Sequence, residues 1–128
     1  MVRDIDASID FYRRYCGMTA VHDRGSEGER TVWLAEPGRE GELVFVLMRG
    51  HARPPQAAGD YSHFGFALEN RAGVSAVAAI AREEHCLMWE PREEPSPVGY
   101  FCGVRDPDGN VVEFSFGQPL GPGGPEEL

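Results

Sequence analysis

The residues best placed for chemistry are a histidine and a glutamate that strand alternation turns to the same side. In SHFGFAL (62–68), period-two alternation groups Phe64, Phe66 and Leu68 on one face and His63, Gly65 and Ala67 on the other. In NVVEFSF (110–116), Val112, Phe114 and Phe116 share a face opposite Val111, Glu113 and Ser115. The large apolar faces must lie against the core. His63 therefore stands among small residues on the far face, as in a strand that lines a cavity, and Glu113 points the same way from a second strand. Tyr100, on the neighbouring run 98–104, could donate a proton or a hydrogen bond to a substrate in that cavity. The competing readings are plain: solvated residues on a half-exposed sheet, and a buried structural tyrosine.

Two helical segments and seven β-like runs must position these side chains. Ile5, Ile9 and Tyr12, with Phe11 and Tyr15 alongside, recur at helical spacing over 6–16, and Gly17 fits a helix stop. An Ala-rich face with Val74, Val77 and Ile80 predicts a second helix over 71–85. Runs at 18–23, 30–35 and 42–48 follow the first helix; runs at 86–90, 98–104 and 110–116 follow the second. The order α-β-β-β thus occurs twice. The strand 62–68 makes the second unit a complete βαβββ, whereas only Met1 to Arg3 precede the first helix, so most of the first unit's opening strand is missing. The expected fold class is α+β, with paired βαβββ units forming curved mixed sheets around a concave site. The expected organisation is one domain over 1–117 (first unit 1–49, linker 50–61, second unit 62–117) and a flexible Gly/Pro-rich tail over 118–128.

Composition narrows the partners. A chain of 128 residues suits one ordinary core. A formal charge of −9 argues against nucleic acid and anionic membrane surfaces. No stretch approaches the roughly 20 apolar residues of a membrane span, and the N-terminus does not read as a secretory signal, so a cytoplasmic location is expected. Cys16, Cys86 and Cys102 are widely spaced and are read as reduced.

The SxxFY pattern of Ser8, Phe11 and Tyr12, the helix-ending Gly17, the unit-opening HFGFAL and the DPDGNVVEF segment occur in an order that resembles the vicinal oxygen chelate superfamily. That group contains glyoxalase I, fosfomycin-resistance enzymes, extradiol dioxygenases and metal-free bleomycin-resistance proteins. The resemblance extends to about Gly117. It implies a divalent ion, Fe, Mn, Zn or Ni, held by a histidine from the opening strand of each unit and a glutamate from the last strand of the second. His63 and Glu113 fall on the second-unit positions, and Glu113 would also be catalytic. The first-unit histidine would lie upstream of Val2. A register that pairs Leu43, Phe45 and Leu47 with Val112, Phe114 and Phe116 puts Val44 opposite Glu113, with Glu42 a ligand only if the register differs.

The resemblance implies a metal-dependent enzyme acting on a small molecule with vicinal oxygens, either a glyoxalase-like lyase or a dioxygenase. The alternative is a metal-free protein of the bleomycin-resistance type that binds and sequesters a small molecule. Because units of this kind pair within a chain or across a dimer, and a missing edge strand leaves backbone groups unpaired, a homodimer is expected. His22, His51 and His85 are assigned no role. Asp106 and Asp108 are read as parts of a turn preset by Pro107 and Gly109.

Overall fold

A computed structural model describes residues 1–26, 28–50, 54, 56–57 and 59–119. The chain divides into two compact units, Met1–Ala58 with Asp106–Gly109, and Gly59–Arg105 with Asn110–Leu128. The element order is α1 (Ile5–Cys16), β1 (Thr19–Arg24), β2 (Thr31–Ala35), β3 (Phe45–Met48), β4 (His63–Ala67), α2 (Arg71–Glu83), β5 (Leu87–Glu94), β6 (Gly99–Arg105) and β7 (Val111–Phe116). The expected α+β class and the repeated α-β-β-β order are both present. Among the described residues no helix is long and apolar enough to cross a membrane.

In the first unit, α1 starts where the Asp4 carboxylate accepts from the Ala7 N–H at 3.1 Å. It stops at Gly17, whose φ of 67° is left-handed, while the Met18 N–H returns to the Tyr12 carbonyl at 3.1 Å. One stripe of the helix is buried: Ile5, Ser8, Phe11, Tyr12 and Tyr15. The sheet β1-β2-β3 is antiparallel. Its residues Val32, Leu34 and Leu47 are buried, whereas Trp33, Val46 and Met48 on the alternate face are exposed.

Ahead of α1 this unit has one parallel bridge, Val2 to Arg49, with the Val2 N–H donating to Met48 O at 2.8 Å. The Leu68 N–H donates to Ser115 O in the same way at 2.7 Å, so Val2 matches Leu68 and Met48 matches Ser115. Counting back along β3, Val46 rather than Val44 stands where Glu113 stands in the second unit. Glu42 precedes β3, four residues before that position, and forms an exposed ion pair with Arg39 at 2.8 Å.

The segment Asp106–Gly109 belongs to this first unit and is tied by polar contacts to α1 and to Arg3 just ahead of it. The Tyr12 hydroxyl donates to Asp106 Oδ2 at 2.6 Å, the Arg3 N–H to Asp108 Oδ1 at 3.1 Å, and the Asp108 N–H to Asp106 Oδ1 at 2.9 Å. Burial, together with the Asp106 carboxylate, holds the Tyr12 phenol well above its ordinary pKa. The SxxFY and DPDG patterns are thus two halves of one structural clamp.

In the second unit, the sheet order is β4-β7-β6-β5, with β4 parallel to β7 and the other pairs antiparallel. The Asn70 side chain caps α2 by accepting from the Gly73 N–H at 2.7 Å. This helix is two residues shorter than expected, because His85 adopts a left-handed φ of 60° and the chain turns off. Conversely, β5 continues through Pro91 to Glu94, where the sequence suggests a turn. An edge strand with irregular pairing tolerates a residue that lacks an N–H. Of the expected mobile tail, residues 120–128 and much of the linker, including His51, lie outside the described residues. The Gln118 amide lies 3.4 Å from Glu113 Oε2.

The three cysteines are free thiols. Burial foremost, then the Glu113 and Glu90 carboxylates, pushes Cys102 up to about 12; burial and then Glu36 push Cys16 up to about 12. Both thiols hold their protons more tightly when folded than at the ordinary value of 9.0. Their stabilising contribution is complete below pH 9 and is lost as pH rises toward 12, because the unfolded chain then binds fewer protons. Urea midpoints measured from pH 8 to 10.5 should fall with pH, and a Cys16→Ala, Cys102→Ala protein should show a shallower fall.

Candidate functional site

Parallel pairing of β4 with β7 decides where the two candidate donors lie. Gly65 pairs with Glu113 and His63 with Val111, and a Cβ placed on Gly65 would sit 3.1 Å from Glu113 Oε2. His63 and Glu113 therefore share a face, with His63 Nε2 3.8 Å from Glu113 Oε1. On the other face, Cys102 Sγ lies 3.8 Å from the Val74 carbonyl of α2, and Phe114 stacks on Phe66 at 6.0 Å. The donors accordingly point away from α2, as alternation predicts.

The histidine ring is oriented by a backbone contact. Its Nδ1 lies 2.6 Å from the Tyr61 carbonyl oxygen, which can only accept, so Nδ1 carries a proton and Nε2 is the nitrogen turned toward Glu113. This is the outer contact that orients metal-ligating imidazoles in general. The 3.8 Å gap is too long for a direct hydrogen bond, whereas two metal bonds of about 2.0–2.2 Å span it. Both side chains are accessible, at 33% for His63 and 14% for Glu113. The chemistry of the pair fits two positions in the shell of a divalent cation. Among the described residues no group of three His, Cys, Asp or Glu side chains comes together. The first-unit match to Glu113 is the valine Val46.

Tyr100 does not join this site. It pairs with Phe116, its hydroxyl lies 3.0 Å from Ser75 Oγ on α2, and the Arg71 guanidinium covers its ring at 4.1 Å. The expectation of a catalytic Tyr100 is corrected by strand parity: Phe101 and Gly103, one residue to either side of Cys102, face Glu113, and Tyr100 faces the helix. His22 packs against Trp33, with ring centroids 5.2 Å apart, in the first unit.

The residues that do surround the donors carry no sequence signal of their own. Trp89 meets His63 edge-on at 5.2 Å and Phe101 at 6.4 Å, and Arg92 lies over the Phe101 ring at 5.2 Å. Glycines on both neighbouring strands, Gly65 and Gly103, pair with Glu113 and leave its carboxylate room. A different cleft, of about 510 Å³ in the first unit, is lined by Arg3, Asp4, Ile5, Asp6, Arg30 and Arg49. Most of its charges are already matched, Arg30 to Asp6 and Asp23, and Arg3 to Asp108, so it offers weaker chemistry than the His63–Glu113 face.

The family model described as Glyoxalase/Bleomycin resistance protein/Dioxygenase superfamily matches residues 1–114. An uncharacterized protein of Pseudomonas aeruginosa is 56% identical over 122 residues, covering 95% of this chain and 87% of that protein. Among solved structures, a FosX variant from Listeria monocytogenes complexed with Mn(II) and 1S,2S-dihydroxypropylphosphonic acid matches with a TM-score of 0.72 at 17% identity, over 93% of this chain and 85% of that one. The trypanothione-dependent glyoxalase I of Leishmania major matches with a TM-score of 0.66 at 23% identity, over 91% and 81%. At such identities the structural matches establish the fold alone.

Proposed function

The chain belongs to the glyoxalase/bleomycin resistance protein/dioxygenase superfamily, and from that premise we propose a divalent-metal-dependent enzyme acting on a small molecule with vicinal oxygens. The reaction type is glyoxalase-like lyase or extradiol-dioxygenase-like chemistry. One observation carries the reading: Nε2 of His63, on a ring oriented by its Nδ1 contact to the Tyr61 carbonyl, faces the Glu113 carboxylate across a gap that suits a cation. The Mn(II) complex of the fold neighbour FosX is in keeping with it.

His63 and Glu113 would hold the ion, and Glu113 would also balance its charge. A bound ion would act as a Lewis acid on neighbouring substrate oxygens. The chain's own residues hold the imidazole in register through Tyr61, restrain the carboxylate through Gln118, and wall the donors with Trp89 and Phe101. Further donors would come from substrate, water or a second copy, in line with the expected cytoplasmic homodimer.

Calorimetric titration with Mn(II), Zn(II) and Ni(II) tests the reading. A saturable site at one ion per chain is expected, weak because two protein donors hold it, and lost in His63→Ala. Equal affinity in wild type and His63→Ala, or no saturable binding to either, would remove metal chemistry from this face. The wall of Trp89 and Phe101 would then favour the metal-free sequestering protein.

A further inference from the structure

We propose that Trp89 is the specificity-determining residue of the His63–Glu113 face, selecting ligands whose vicinal oxygens are carried on a planar, conjugated ring. The proposal rests on the reading of that face as the functional site.

Three features of the second unit point to it. Strands β5 and β4 are separated by β6 and β7, so at about 4.8 Å per strand their backbones stand roughly 14 Å apart. Trp89 nevertheless reaches His63, with ring centroids 5.2 Å apart. It does so because Gly103 has no side chain: a Cβ there would lie 2.5 Å from Trp89 Cε3 and 2.7 Å from Cδ2, so the indole rests directly over the β6 backbone.

The second feature is the irregular pairing of β5. Trp89 pairs with Gly103 and Arg92 with Phe101, three residues apart on one strand and two apart on the other. In a regular strand, residues three apart face opposite sides. The irregularity between them brings both to the face that carries Glu113, the re-aiming that bulges beside functional sites provide. A second irregularity, between Leu87 and Trp89, lets Trp89 pair with Gly103 on that face although Leu87, two residues earlier, pairs with Val104 on the other.

The third is the bracing of the indole. His63 and Phe101 meet it nearly perpendicular, at 88° and 86°, so its orientation is set from two sides while the residue stays partly accessible. A rigid, half-open aromatic surface next to two cation donors complements a flat ring that presents two oxygens at its edge. Aromatic pairing of this kind corresponds to roughly 2- to 12-fold in affinity.

The chain has two tryptophans, so a Trp33→Phe background leaves Trp89 as the only indole reporter. In that background, tropolone (planar, vicinal oxygens) and acetohydroxamic acid (vicinal oxygens, no ring) are titrated with and without Mn(II), followed by fluorescence and calorimetry. Tropolone should bind and perturb Trp89 emission. By calorimetry, Trp89→Leu, which stays apolar but removes the ring, should weaken tropolone about tenfold and Trp89→Phe less than about threefold, with acetohydroxamic acid unchanged. Mn(II) binding with both probes equally affected, or unaffected, by Trp89→Leu overturns this inference and leaves the metal reading standing. Tropolone binding that needs Trp89 but not Mn(II) sustains this inference and removes the metal reading. No binding of either probe overturns it.

Discussion

Glu113→Gln is expected to lower divalent-metal affinity by more than about 100-fold and to abolish metal-dependent turnover, while far-UV circular dichroism and the urea midpoint stay close to wild type. Losing even a residue that only orients a ligand typically costs 10- to 100-fold, and here one of two protein donors loses its charge. Glutamine keeps the shape that fits between Gly65 and Gly103. The Gln118 amide, 3.4 Å from Glu113 Oε2, can face the new side-chain carbonyl instead. A folded Glu113→Gln protein that binds Mn(II) as wild type does would place the site elsewhere. Loss of binding together with loss of fold would instead make Glu113 structural.

Phe114→Ala is expected to lower unfolding free energy by about 4 kcal/mol, near the middle of the range for buried phenylalanine truncations. Phe114 has no exposed surface and sits on β7, the strand paired on both sides, opposite Phe66 on β4 and Cys102 on β6. Its ring stacks on Phe66 at an interplanar angle of 19°, so truncation removes a contact from two strands at once. Domains of this size have about 5–15 kcal/mol in total, so the variant should be largely unfolded at modest urea concentrations. Phe116, on the same strand face but only half-buried, should cost clearly less. A loss below about 2 kcal/mol for Phe114→Ala, or equal costs at the two positions, would show that the β4-β7-β6 face is not the core of this unit.

The two phenylalanines mark what sequence and structure each contribute. Alternation alone groups Val112, Phe114 and Phe116, and the register of β7 agrees with that grouping. It does not rank them, because burial depends on what lies across the sheet. The same alternation correctly turned His63 and Glu113 to one side, since the period of a strand is a covalent property of an extended backbone. For Tyr100 the sequence held no register. One residue of displacement on β6 decides whether a side chain meets Glu113 or α2, and only the pairing of Gly103 with Glu113 settles it.

Sequence by itself therefore determined the features that local chemistry controls. These are two helices, the first with its glycine stop, the α-β-β-β repeat, the DPDG turn, the family resemblance and the common facing of two donors. Tertiary structure alone decided the features that depend on distant partners. Tyr12 reaches Asp106 across 94 positions of sequence. A single bridge at Val2 sets the register that puts Val46 in the place of Glu113. Trp89 reaches His63 because a glycine on the intervening strand and an irregular edge pairing clear its path. Periodicity is written residue by residue along the chain, whereas register, bulges and the space left by a glycine come into being only when strands pair.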